Sequence, residues 1–206
     1  GMFSGMAKWV AEIDSADRIP EMVARAFATA MAGRPGPVVL ALPEDMLRER
    51  ASVAAVAAGP VPAPAPSAAE ISRFGALLSD AERPVAIVGG SRWDDHAVAA
   101  LAAVAEAWDL PVATAFRRQE LIDNRHPNYA GDVGIGPNPA LKARIDAADL
   151  VILVGDRMSE MPSQGYTLFD IPVPRQRLVH VHPGAEEIGR VYQPALGIVA
   201  TPGAFL

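Results

Sequence analysis

The stretch that decides the fold is Arg83-Pro84-Val85-Ala86-Ile87-Val88-Gly89-Gly90, where an unbroken apolar run ends in two glycines. A strand that is apolar at every position is typical of a parallel sheet covered on both faces. Runs of the same kind recur at residues 112–115, 150–154, 178–181 and 197–200. Because helical patterns alternate with these runs, the sequence predicts an α/β fold with a doubly wound parallel sheet.

Helices are predicted between these strands. Ser67 and Glu70 have the spacing of a capping box, and they start a helix that carries Ile71, Phe74 and Leu78 on one face. Further helices are predicted at residues 95–108, 139–147 and 185–191. The segment 116–137 is rich in glycine, proline, asparagine and aspartate, and we predict that it is a long loop.

The first part of the chain has a different pattern. A helix is predicted at residues 17–32, with Asp17 as its cap and Pro20 in its first turn, followed by an apolar strand at 38–42. One helix and one fully buried strand cannot cover each other. We therefore expect residues 1–47 to dock on the second domain, to pair with another copy of the chain, or to be partly disordered. We therefore predict the end of a domain at 1–48, a proline- and alanine-rich linker at 49–68, and a second domain at 69–206.

Composition excludes several classes of protein. The 206 residues contain no cysteine, which rules out disulfide scaffolds, thiolate metal sites and cysteine nucleophiles. The net charge of −6, without long basic runs, argues against nucleic-acid binding. No apolar stretch has the length of a membrane span. We therefore expect a cytoplasmic protein that binds neither nucleic acid nor membrane.

Candidate binding residues follow the predicted strands. In an open parallel sheet, ligands bind beyond the carboxyl ends of the strands. Glycines there let a ligand approach the backbone, a helix N-terminus offers amides to a phosphate, and an arginine can pair with it. The residues at these positions are Gly89, Gly90, Ser91, Thr114, Gly155, Asp156, Arg157 and His182. Together they predict a nucleotide-type pocket, while each alone is better explained by a tight turn or a solvated side chain.

Two histidines raise the question of a metal. His180 and His182 alternate on one predicted strand, and Glu186 and Glu187 follow closely, which resembles half of a metal site. No further histidine lies near them in sequence, so we predict no metal site. No G-x-S-x-G elbow is present either, and serine hydrolase chemistry has no support.

Several segments resemble one known family. The run Gly33-Arg34-Pro35-Gly36-Pro37-Val38-Val39-Leu40-Ala41-Leu42-Pro43-Glu44-Asp45-Met46 resembles the closing signature of the pyrimidine-binding domain in thiamine-diphosphate-dependent enzymes of the acetolactate synthase type. Residues 83–90, 110–114, 124–131, 148–155 and 185–189 resemble that family's central domain, in the correct order. The resemblance covers nearly the whole chain.

The resemblance implies a six-stranded, Rossmann-like central domain behind the tail of a truncated pyrimidine-binding domain. Family enzymes make or break a carbon–carbon bond next to a carbonyl group with thiamine diphosphate and Mg²⁺, and some central domains bind FAD or ADP. Gly89, Gly90 and Arg157 stand where FAD-containing members contact the flavin nucleotide. Three positions depart from the family pattern: Ser91, Asp156 and His182.

The resemblance also implies partners. The family's activating glutamate and its G-D-G…N motif for magnesium and diphosphate belong to other domains, and neither is found in this sequence. We therefore expect a chain without catalytic residues that works with the missing pyrimidine and diphosphate domains, in a dimer or tetramer. The alternative is a flavin-binding electron-transfer module, which has no reason to carry the strand at 38–42.

Overall fold

The computed structural model describes residues 1–57 and 59–206. These form two compact units, Gly1–Pro62 and Ala63–Leu206. Ala58, inside the predicted linker 49–68, lies outside the described residues, and the remaining residues from 49 to 67 contain no helix or strand. The assignment of residues 1–48 to a truncated pyrimidine-binding domain stays a prediction.

The first unit is a small fold of one helix and two strands among its described residues. Strand β1 (Trp9–Glu12) and strand β2 (Val38–Ala41) pair in parallel, connected by helix α1 (Ile19–Met31). Its core contains four buried residues: Ile13, Ala16, Met22 and Met46. Sequence reasoning missed β1, which pairs with β2 and contributes to a small core. Docking of residues 1–47 on the second domain, or pairing with another copy, stays a prediction.

Two further details of this unit correct the prediction. Asp17 lies inside a 3-10 turn, Ala16–Arg18, and does not cap α1, which begins at Ile19. Strand β2 is half-buried at its first three residues and exposed at Ala41, and is not buried on both faces. One helix and a two-stranded sheet offer too few neighbours to bury an apolar run completely.

The second unit is an α/β domain. Helix α2 (Ala68–Ser79) begins at the predicted capping box of Ser67 and Glu70. The elements that follow are β3 (Pro84–Val88), α3 (Asp95–Ala107), β4 (Val112–Thr114), β5 (Tyr129–Asp132), α4 (Pro139–Ala147), β6 (Leu150–Val154), β7 (Arg177–His182), β8 (Leu196–Val199) and α5 (Pro202–Phe205).

The core of this unit lies on both faces of the sheet. On β3, Ala86 and Val88 pack into a cluster that includes residues of α2, α3 and α5. Val85 and Ile87 point the other way, into a cluster that includes residues of α4. The predicted doubly wound parallel sheet is thereby confirmed.

Three elements of the second unit differ from the prediction. Strand β5 lies within the segment predicted to be a loop; it is short, half-buried and contains a glycine, so it carries no apolar pattern. The helix predicted at 185–191 is only a 3-10 turn, Ala185–Glu187, and Gly189 follows it in the left-handed conformation at φ 76°. Helix α5 is a single turn that sequence reasoning missed.

The six strands stand in the order β5-β4-β3-β6-β7-β8, which is the strand order of the doubly wound dinucleotide-binding folds. The order reverses between β3 and β6, and in such folds the ligand crevice lies at this switch point. No helix in the described part of the chain is long and apolar enough to cross a membrane.

Candidate functional site

The sheet brings the eight predicted site residues to one edge. Val88 at the end of β3 pairs with Thr114 and with Val154, and Val154 pairs with Val181, so the carboxyl ends of four neighbouring strands are level. The residues found there are Gly89, Gly90 and Ser91 after β3, Thr114 on β4, Gly155, Asp156 and Arg157 after β6, and His182 on β7. We call the space between the loops 89–94 and 155–158 the crevice.

The glycines of the crevice pack against protein atoms. Gly90 and Gly155 have φ of 70° and 78°, a conformation that favours glycine. A side-chain carbon on Gly90 would collide with the carbonyl oxygen of Gly155, and one on Gly155 would lie 2.5 Å from the carbonyl oxygen of Gly89. These glycines are therefore required by the close approach of the two loops to each other.

Two side chains that sequence reasoning missed hold the first loop. Nε1 of Trp93 donates a hydrogen bond to the carbonyl oxygen of Gly89 at 2.7 Å. Nη1 of Arg118 donates to the carbonyl oxygen of Gly90, and Nε of Arg118 lies 2.8 Å from Oε1 of Glu120. No sequence motif predicts these hydrogen bonds, because they depend on the conformation of the loops.

The N-terminus of α3, predicted to offer free amides to a phosphate, carries acidic residues. Oδ1 of Asp94 accepts a hydrogen bond from the amide of Ala97 at 2.8 Å, and Asp95 occupies the first turn. A carboxylate at this position satisfies the helix end as an anion would. The expectation of free amides was therefore wrong in part.

Asp156 and Arg157 follow β6. Oδ2 of Asp156 accepts a hydrogen bond from the amide of Met158 at 2.9 Å. Burial raises the pKa of Asp156 above its usual value, against the opposing effects of backbone hydrogen bonds and of the Arg157 charge. Arg157 is half-buried, and its contact with a ligand shared with Gly89 and Gly90 stays a prediction.

The polar side chains of β4 and β7 face inward. Thr114 is completely buried, and its hydroxyl oxygen has no hydrogen-bond partner among the described residues. His182 is buried, with Nδ1 3.0 Å from the amide nitrogen of Gly184. Ser91, next to Gly90, is half-buried.

His180 and His182 lie on the same face of β7, as predicted, with ring centroids 6.1 Å apart. Nε2 of His180 lies 3.0 Å from the carbonyl oxygen of Asp156, and burial lowers the pKa of His180 to about 4. Glu187 is buried and pairs with Arg190 at 3.2 Å. The part of the chain that the structure describes contains no group of three or more metal-ligating side chains.

Contacts within the protein hold the first loop of the crevice and the start of α3. The carbonyl oxygens of Gly89 and Gly90 are bound by Trp93 and Arg118. Asp94 caps the helix at which a phosphate would bind. Binding of FAD or ADP by the eight predicted residues stays a prediction.

Strand order and glycine loops define the class of Rossmann-like α/β domains. Within that class, the chain belongs to the thiamine pyrophosphate (thiamine diphosphate) enzymes: the family described as "Thiamine pyrophosphate enzyme, central domain" matches residues 71–206. The match confirms the family resemblance seen in the sequence.

Curated relatives agree with this assignment. The chain is 29% identical to sulfoacetaldehyde acetyltransferase of Rhodobacter capsulatus, over 98% of this chain and 34% of the relative. It is 29% identical to glyoxylate carboligase of Escherichia coli O157:H7, with the same two shares. It is 30% identical to the acetolactate synthase large subunit of Parasynechococcus marenigrum, over 96% of this chain and 32% of the relative. The chain spans about a third of the length of these proteins.

Proposed function

We propose that the chain provides the central domain of an enzyme that uses thiamine diphosphate and Mg²⁺ to make or break a carbon–carbon bond next to a carbonyl group. The observation that carries this proposal is the family match over residues 71–206. Thiamine diphosphate supplies an electron sink for the carbanion in such reactions. The same match favours this function over a flavin-binding electron-transfer module.

The role proposed for this chain within the enzyme is structural. Its described residues contain no group of three or more side chains that could hold a metal ion, and Trp93 and Arg118 bind the first loop of the crevice. The cofactor and Mg²⁺ are then bound by the pyrimidine and diphosphate domains, in a dimer or tetramer. A nucleotide-binding role and a cytoplasmic location stay predictions.

The substrate is proposed to be a small molecule with a reactive carbonyl group. The names of the relatives point to acetolactate formation, to glyoxylate carboligation and to acetyl transfer involving sulfoacetaldehyde. Identities of 29% and 30% to all three do not favour one of these reactions over another.

The experiment is an assay of the longer protein that contains this chain, with pyruvate, glyoxylate and sulfoacetaldehyde as substrates. We expect turnover of at least one of them that is lost when thiamine diphosphate or Mg²⁺ is removed. As a control, Arg125→Ala removes an exposed ion pair with Asp123 and leaves turnover unchanged. Turnover that does not depend on thiamine diphosphate, or none with any carbonyl substrate, would contradict the proposal.

A further inference from the structure

We infer that the crevice is filled by the protein itself: the indole of Trp93 takes the space between the two loops, and Arg118 fixes the first loop from the side of β4. The loops at the carboxyl ends of β3 and β6 then keep their conformation without a bound nucleotide. This inference goes beyond the proposed function, because it concerns the stability and ligand binding of this chain and not the reaction of the enzyme.

The position of the indole supports this inference first. Nε1 of Trp93 is 2.7 Å from the carbonyl oxygen of Gly89, in the loop after β3. The same nitrogen lies 3.1 Å from the point where a side-chain carbon on Gly155 would stand, in the loop after β6. Trp93 therefore binds the first loop and lies beside the second, and its ring packs on the buried cluster of the sheet.

Arg118 adds a contact from a third loop. This arginine follows β4, and its guanidinium group donates to the carbonyl oxygen of Gly90. Glu120, 2.8 Å from Nε, holds the guanidinium group in place. The two carbonyl groups that follow β3 are thus both bound by side chains of the same domain, each from a different segment.

The conformation of the loops supports the inference independently. Arg92 and Met158 adopt the left-handed conformation, with φ of 70° and 49°, although neither is a glycine. Such conformations persist only where the surrounding contacts determine them. One of these residues lies in each loop, directly before Trp93 and directly after Arg157, so both loops have a conformation that their surroundings determine.

The carboxylates of the crevice oppose a diphosphate, although Arg157 lies in the same loop as Asp156. Asp94 and Asp95 lie at the N-terminus of α3, and Asp156 lies in the facing loop. A diphosphate would place its negative charge beside these carboxylates and would have to displace Asp94 from the amide of Ala97. A neutral planar ring meets no such repulsion, and it is the chemical class that suits the space now taken by the indole.

Thermal unfolding of the 206-residue chain, with ADP, FAD or free indole added, tests the inference. We expect ADP and FAD to leave the Tm of the wild type unchanged. Trp93→Ala should lower Tm by roughly 5 °C or more, since an aromatic ring is lost from a packed site. Free indole at millimolar concentration should restore part of that loss by binding the folded state. Trp93→Phe, which keeps a ring but not the N–H donor, should lose less.

The matched control is Trp108→Ala, which removes a half-exposed indole from the end of α3 in the same domain. Indole should leave the Tm of this variant unchanged. A rise in the Tm of the wild type with ADP or FAD would overturn the inference. It would also be overturned if indole raised the Tm of both alanine variants equally, or raised the Tm of neither. If Trp93→Ala does not fold, the wild type with nucleotides decides: an unchanged Tm supports the inference, and a raised Tm overturns it. Failure of the proposed enzyme function would leave all these results unaffected.

Discussion

The two sheets of this chain start from the same sequence pattern and differ in burial. Strands β2 and β6 are both runs of apolar residues, yet every residue of β6 is buried, whereas β2 is half-buried or exposed. Strand β6 pairs with a strand on each side, and β2 pairs with β1. An apolar run therefore indicates that the side chains of a strand can be buried, and the neighbouring strands and helices determine how many of them are.

The helices repeat this difference. The apolar residues of α1 are only partly buried: Met22 is buried, while Val23, Phe27 and Met31 are exposed, Phe27 by 66%. On α3 of the second unit, Leu101 and Ala105 are completely or almost completely buried. The uncovered apolar surface of the first unit supports the proposal that its residues belong to a larger domain.

The largest effect is expected where the loops of the large sheet meet. Gly90→Ala should lower the free energy of unfolding by about 4 kcal/mol, because it combines left-handed strain with a collision against the carbonyl oxygen of Gly155. Gly136→Ala has a similar φ, 66°, but no atom within 4 Å of the added carbon, and should cost about 1 kcal/mol. Urea denaturation measures both; equal losses would show that backbone strain alone matters.

The next prediction compares the two sheets directly with the same substitution. Leu153→Ala in β6 removes a side chain that is 1% exposed and should cost about 3 kcal/mol. Leu40→Ala in β2 removes a half-buried side chain and should cost about 1 kcal/mol. Hydrogen exchange followed by mass spectrometry reports each unit separately. A larger loss of unfolding free energy for Leu40→Ala than for Leu153→Ala would contradict the difference in burial between the two sheets.

Acid should destabilise the second unit through His180, and all four histidines lie in that unit. Burial lowers the pKa of His180 to about 4, so the unfolded state binds a proton first as pH falls. Stability is therefore complete above pH of about 6.5 and falls by about 3 kcal/mol towards pH 4. Of the groups that face His180, His182 also lowers its pKa, whereas the carbonyl group of Asp156 and the carboxylate of Glu187 raise it.

The variant His180→Gln tests the origin of this loss. Its amide can still donate a hydrogen bond to the carbonyl oxygen of Asp156, but it does not titrate, so the fall in stability between pH 6.5 and 4 should shrink. The control His96→Gln replaces an exposed histidine and should leave the profile unchanged. An unchanged profile in His180→Gln would assign the acid sensitivity to another group.

The smallest predicted effects are those of two helix substitutions, one that stabilises the second unit and one that destabilises the first. Gly75→Ala in α2 adds a methyl group where no atom lies within 4 Å, beside an apolar cavity of about 240 Å³, and should stabilise the second unit by about 1 kcal/mol. Ala28→Gly on the exposed side of α1 should destabilise the first unit by a similar amount. Thermal unfolding checks both, and a destabilising Gly75→Ala would show that this helix position is strained.

The sequence predicts most of the large sheet because its central strands are unbroken apolar runs. It does not predict β1 and β5, which lack such runs: Trp9–Glu12 alternates in burial and Tyr129–Asp132 contains a glycine. The edge that carries the candidate site was predictable, since parallel strands end together. The contacts of Trp93 and Arg118 were not, because they depend on how loops fold over one another.

The central claim is that this chain is the scaffold of a thiamine-diphosphate enzyme and not the part that holds the cofactor. Isothermal titration calorimetry of the 206-residue chain with thiamine diphosphate and Mg²⁺ tests it most directly. We predict no heat of binding up to millimolar cofactor. A one-to-one complex with a micromolar Kd would contradict the claim, because the described residues would then have to supply a cofactor site of about −8 kcal/mol.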